Sequence, residues 1–193
     1  MTIENYNVSM VRATLDGLPH YTLPAPYTLR WYQPGDEKYW VAIHVAADPY
    51  HTFTDETFIR EFGAEQALLP ARQAYLCNAA GTPVGTTTAW FYTDEENEAY
   101  GLVHWVAVDP AQQGRGLSKP LLAFACRRLQ ELGYPRAYLN TSTGRLPAIG
   151  LYLKFGFVPK MRRDREYTLH AWRQVNERLA HPAVAEFLAT YEG

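Results

Sequence analysis

The sequence predicts an α/β fold, a sheet flanked by helices, on three observations. Strand-forming runs alternate with helical patterns from Tyr27 onward; a glycine turn joins an apolar run to a helix between Gly101 and Gly133; and two strand-forming runs are separated by the short loop Ala79-Ala80-Gly81-Thr82. The 193 residues are 47% hydrophobic and 14% aromatic, enough apolar area for one core without covalent staples.

Residues 1–26 read as a polar, irregular lead-in arm, with Pro19, Pro24 and Pro26 interrupting any continuous element. Tyr27–Tyr32 (YTLRWY) is a strand, and Gln33-Pro34-Gly35-Asp36 turns it into a helix whose Trp40, Ile43 and Ala47 share a face. Asp48-Pro49 ends that helix. Thr54 caps the next, with Asp55 and Glu56 in its first turn and Phe58, Ile59 and Phe62 as its expected core face. Residues 72–78 and 83–92 are the two strands of a hairpin, and 101–108 (GLVHWVAV) is a third extended run. The acidic run Thr93–Glu98 between them reads as a solvated hairpin tip. Leu117, Leu121, Phe124, Ala125, Leu129 and Leu132 keep helical spacing up to Gly133. A short strand (136–140), a helix (147–155) closed by Gly156, a return to the sheet at Phe157-Val158, and two helical stretches (164–179 and 184–191) complete the chain.

Charge and cysteine usage narrow the function classes. Eighteen Lys and Arg against twenty Asp and Glu give a net charge of -2, with no excess of positive charge for a nucleic-acid backbone or an anionic membrane. Cys77 and Cys126 match no metal-ligand spacing and read as buried apolar groups in a reducing compartment, Cys126 on the core face of its helix. The first residues lack a basic start followed by an apolar run, and no long apolar stretch occurs, so the expectation is a soluble, cytoplasmic protein without metal.

Chemistry concentrates in Gln113-Gly114-Arg115-Gly116-Leu117-Ser118-Lys119, between a strand and a helix. Gly114 and Gly116 let backbone approach a bound group while the unpaired amides of the helix start point outward. Ser118 adds a hydroxyl donor, and Arg115 and Lys119 add charge, so the turn suits an anion such as pyrophosphate. It is not a dinucleotide turn: Lys119 stands where G-x-G-x-x-G needs its third glycine, and no acidic residue follows about 20 positions on to grip a ribose.

The stretch VAVDPAQQGRGLSKPLL resembles the acetyl-CoA-binding motif of the GNAT acetyltransferase superfamily: Gln or Arg, any two, Gly, any one, Gly or Ala. Gln113 and Gly116 occupy the first two fixed positions, and Ser118 replaces the last. Further on, Ala148–Phe157 (AIGLYLKFGF) resembles the family's A-x-x-L-Y-x-K-x-G-F segment, with Arg145 where an Asn often stands. The resemblance implies a three-layer fold with a central mixed, mostly antiparallel sheet, and a division into an arm (1–26), a GNAT acetyltransferase domain (27–160) and a helical C-terminal extension packed on it (161–193).

It also implies roles. Val106, Ala107 and Val108 offer backbone to the pantetheine arm of acetyl-CoA, Gln113 to Lys119 hold the pyrophosphate, and Asn140 hydrogen-bonds the pantetheine amide or caps its strand. Tyr152 is the candidate acid for the departing thiolate, and His104 the candidate base, since imidazole is the side chain suited to proton removal at neutral pH. His44, His51 and Asp48 fall where the family places its acceptor wall, while Trp31, Tyr50 and Phe53 read as core. The basic residues Lys160, Arg162, Arg163 and Arg165 face solvent or, in a homodimer, a partner subunit. The implied reaction is acetyl transfer from acetyl-CoA to a primary amine of a small molecule. A protein N-terminal or lysine acetyltransferase and a non-catalytic CoA-binding sensor remain as alternatives.

Overall fold

Local sequence signals set most element boundaries in the computed structural model, which describes residues 4–94 and 96–192. In chain order the elements are β1 (Asn7–Arg12), β2 (Thr28–Trp31), α1 (Glu37–Ala47), α2 (Asp55–Phe62), a six-residue 3-10 turn leading to the short α3 (Leu69–Arg72), β3 (Gln73–Cys77), β4 (Pro83–Thr93), β5 (Ala99–Val108), α4 (Ser118–Glu131), β6 (Ala137–Ser142), α5 (Leu146–Lys154), β7 (Val158–Lys160), α6 (Arg165–Leu179) and α7 (Pro182–Glu192). Thr54 caps α2 by accepting from the Thr57 amide while the Thr57 hydroxyl accepts from the Thr54 amide, a reciprocal pair that satisfies two otherwise orphaned donors. Gly133 and Gly156 end α4 and α5 in the left-handed conformation expected of helix-closing glycines.

The chain divides into two compact units. The first comprises Leu18–Phe91 and Leu102–Gly133, and holds β2, β3, most of β4 and β5, and α1 to α4. Its strands run in the order β2-β3-β4-β5, with β3 antiparallel to both neighbours: Arg30 lies opposite Tyr75, and Tyr75 opposite Thr86. Two apolar centres form in it. Leu76, Val84, Val108, Leu117 and Leu121 make one, covered by Leu23, Tyr27, Leu29 and Val106. The other surrounds Trp40, which is fully buried, with the rings of His44, Phe53, Phe58, Phe62 and Trp105 centred 4.2–5.8 Å away. Edge-to-face geometry dominates, the arrangement aromatic quadrupoles favour.

The second unit comprises Met1–Gly17, Tyr92–Gly101 and Tyr134–Gly193. Here β1 lies between β6 and β7 and pairs antiparallel with both, Met10 opposite Leu139 on one side and Pro159 on the other. The helices α6 and α7 pack on each other, α6 on β1 and α7 on β7.

Four expectations are corrected. The N-terminal arm is not element-free: residues 7–12 form a strand with Val8, Ser9 and Met10 buried, and the interrupting prolines begin only at Pro19. Ile59 is 64% exposed, because α2 turns Phe58 and Phe62, four residues apart, into the core and leaves Ile59 about 100° round the helix. Trp31 and Tyr50, unlike Phe53, are exposed rather than core. The acidic tip is structural at Asp94, whose carboxylate meets Lys160 Nζ at 2.8 Å and also accepts from the amides of Glu96 and Glu98; Glu95 lies outside the described residues. Lys160 is therefore committed to Asp94 and Tyr100 rather than directed to solvent.

Candidate active site

The glycine turn Gln113–Lys119 is anchored at both ends. On the strand side Val108 is buried and its carbonyl accepts from Gln113 Nε2 at 3.1 Å; on the helix side Leu117 and Leu121 insert into the same apolar centre. Burying each leucine stabilises this anchorage by about 1.5–3 kcal/mol. Between the anchors Gln113, Gly114, Arg115 and Gly116 are exposed. Gly114 and Gly116 have φ of +77° and +76°, and a Cβ added at either would meet nothing within 4 Å, so open space lies over the turn. The 14-residue α4 begins at Ser118 without a side-chain cap, which leaves its first amide groups available to an anion. Lys119 lies over the Tyr21 ring with Nζ 5.5 Å from its centre, and the Tyr27 hydroxyl donates to Gln112 Oε1 at 2.6 Å. Uncapped amides, two left-handed glycines and two cations fit a pyrophosphate group such as that of CoA.

Upstream in β5, Trp105 has φ +50°, a left-handed conformation that costs a bulky residue about 1–2 kcal/mol. In a regular strand successive side chains point to opposite faces. Here the alternation is broken, and both His104 and Trp105 reach the carboxylate of Glu61 on α2: Trp105 Nε1 donates to Oε2 at 3.0 Å, and His104 Nε2 approaches the same oxygen to 3.4 Å. Hydrogen bonding to His104, then to Trp105, holds the Glu61 carboxyl below the usual carboxylate range despite partial burial, so it is ionised at neutral pH. The His104 ring also packs edge-on to Phe62, with centroids 5.8 Å apart. Sequence reasoning names His104 as a candidate and does not name Glu61, which sits 43 positions earlier in a helix with no local signal of the pairing.

His44 does not line an open wall. It is 2% exposed, its Nδ1 donates to the Trp40 carbonyl at 2.8 Å, and Nε2 has no hydrogen-bond partner among the described residues. Burial pushes its pKa down to about 4, so it is a neutral core residue. His51 and Asp48 pair at 2.9 Å in the loop after α1. Cys77 and Cys126 are buried.

Two predicted site residues belong to the other unit. Asn140 lies within β6 rather than at its end, and its side-chain oxygen accepts from Ser9 Oγ at 2.8 Å, which in turn accepts from the Tyr138 hydroxyl. Tyr152 lies on α5, half-buried, its ring centroid 6.2 Å from that of Phe157. Arg145 precedes that helix and donates to Ser142 Oγ at 2.8 Å.

Comparison with known proteins agrees with this architecture. The sequence pattern of the "Acetyltransferase (GNAT) family" matches residues 22–157. Mycothiol acetyltransferase from Pseudarthrobacter chlorophenolicus is 31% identical over 159 residues, covering 80% of this chain and 49% of that protein. The protein of the same name from Streptomyces bingchenggensis is 31% identical over 148 residues, covering 75% and 47%. The chain thus spans about half the length of the curated relatives it matches. Among solved structures, a GCN5-related N-acetyltransferase from Sphaerobacter thermophilus superimposes with a TM-score of 0.66 at 23% identity, over 81% of this chain and 48% of that one. At that identity the likeness speaks for the fold, an open mixed sheet flanked by helices, and the matched pattern extends from the lead-in to β2 as far as the residue before β7: the chain belongs to the acetyltransferase (GNAT) family.

Proposed function

We propose that this chain transfers an acetyl group from acetyl-CoA to the primary amine of a small molecule. The observation that carries the reading is the open, core-anchored turn Gln113–Lys119 at the uncapped start of α4, in a chain of the GNAT family. The backbone of Val106, Ala107 and Val108 would hold the pantetheine arm, and the amides of Gly114 to Lys119 with the Arg115 and Lys119 cations would hold the pyrophosphate. When bound, acetyl-CoA supplies a thioester whose carbonyl carbon the amine attacks, the C–N bond forming as the C–S bond breaks. His104 takes the proton that the acceptor amine must lose, and Tyr152, whose role rests on the family resemblance, gives its hydroxyl proton to the thiolate. Relatives named mycothiol acetyltransferase support a small-molecule acceptor over a protein one.

The test is thiol release from acetyl-CoA across a panel of primary amines. Turnover with at least one amine is expected; tight acetyl-CoA binding with no release for any amine would overturn the reading in favour of a CoA-binding sensor. In the same assay His104→Ala is expected to lose the acidic limb of the pH profile.

A further inference from the structure

The geometry points to Glu61 as a positioning residue that fixes the tautomer and aim of His104, an inference that rests on the proposed role of His104 as base. Three features meet at this carboxylate. Glu61 Oε2 faces His104 Nε2 at 3.4 Å and receives Trp105 Nε1–H at 3.0 Å, so two consecutive residues of β5 converge on one oxygen of α2. Only the left-handed backbone at Trp105, φ +50°, brings neighbours in a strand to the same side, and a strained conformation persists where surrounding contacts over-determine it. Finally, the carboxylate is a pure acceptor when ionised, which favours a proton on the nitrogen that faces it.

That last point assigns the chemistry. With the proton held on Nε2, the lone pair of neutral His104 is on Nδ1, which has no hydrogen-bond partner among the described residues, and Nδ1 becomes the atom that accepts the proton of the acceptor amine. When Nδ1 takes that proton the ring becomes cationic beside an anion already in place, and no side chain has to move to compensate it. The other charged or titratable groups around the pair are Arg60, whose Nε lies 3.7 Å from the opposite oxygen of Glu61, and the buried His44, neutral on the far side of Trp105. Trp105 serves as the brace: its indole N–H occupies the carboxylate from one side, and its ring is wedged among Trp40, His44 and Phe53. Glu61 therefore acts on the reaction through His104 alone.

The experiment combines kinetics with a spectroscopic readout on the full chain. Glu61→Gln keeps an oxygen for Trp105 but removes the charge; it is expected to lower kcat by about tenfold with KM for acetyl-CoA unchanged, the scale of losing one device that supports a positioned base. In a His104→Ala background the same substitution is expected to change kcat by less than about twofold, since residues acting as one unit are not additive. Histidine 15N shifts are expected to report the Nε2–H tautomer for His104 in the native protein and a mixture in Glu61→Gln, a readout independent of turnover. An Nδ1–H tautomer in the native protein, or equal kcat losses from Glu61→Gln with and without His104, would overturn the positioning role. If His104→Ala alone leaves kcat and its pH profile intact, the base assignment falls and the role of Glu61 falls with it; if His104→Ala is impaired and Glu61→Gln is not, only the positioning role is refuted.

Discussion

Gly116→Ala separates backbone conformation from space at the anion-binding turn. An added methyl group would meet nothing within 4 Å, so any cost is conformational and comes from φ of +76°. Placing an L-residue there costs about 1–2 kcal/mol. If the turn keeps its shape, that cost appears as stability, and for a chain of this length the melting temperature falls by about 2–8 °C. If the turn instead relaxes, stability is spared and the outward amides are misaligned, which raises the Kd for CoA by about tenfold for each 1.4 kcal/mol. Differential scanning calorimetry and titration calorimetry with CoA read the two terms. Gly150→Ala is the control: Gly150 lies inside α5 with equal space but ordinary helical φ, so alanine is expected to stabilise by about 0.5–1 kcal/mol. Unchanged melting together with unchanged CoA affinity in Gly116→Ala would refute the claim that this glycine is held left-handed for the ligand.

Other predictions follow from burial and charge. Tyr152→Phe is expected to lower kcat by about 100-fold with acetyl-CoA affinity kept, and a native kcat in steady-state kinetics would remove Tyr152 from the reaction. Trp40→Ala, at the centre of the α1–α2 aromatic cluster, is expected to destabilise by about 3–5 kcal/mol in urea unfolding. His44 binds a proton near 6.5 when unfolded but only near 4 when folded, so the unfolded state takes up more protons between those values. Stability is then full above about pH 6.5 and falls as the pH drops towards 4, by on the order of 3 kcal/mol; urea midpoints across that window should show the slope, and His44→Phe should flatten it.

What could be read directly from the residues was what is local. The α1 and α2 boundaries follow from Asp48-Pro49 and the Thr54 cap, and the glycine turn before α4 from two glycines between a strand and a helix, because each signal is complete within a few residues. Strand β1 escaped notice because polar Asn7, Ser9 and Arg12 stand among its apolar residues and Ser9 is buried beside Val8 and Met10, so its burial is visible only once β6 and β7 flank it. Glu61 escaped for a related reason. Nothing in DETFIREF distinguishes a carboxylate destined for solvent from one that will meet His104 and Trp105, and the left-handed Trp105 that makes the meeting possible breaks the strand periodicity on which the reading relied. His44 was misjudged in the opposite sense, since a histidine one turn beyond Trp40 looks available until Phe53 and Trp105 close over it.

The position of β1 has a consequence for how the chain is made. Its partners lie more than 120 residues downstream in β6 and later still in β7, so a ribosome releases Val8 and Met10 long before these strands exist to cover them. Each such pairing must repay the entropy of closing a long loop, a cost that grows slowly with length but delays the contact. A strand made well before its partners is therefore among the last to be secured. Through that interval its apolar residues are exposed, and a chain stalled before Lys160 would present an open strand edge to its neighbours.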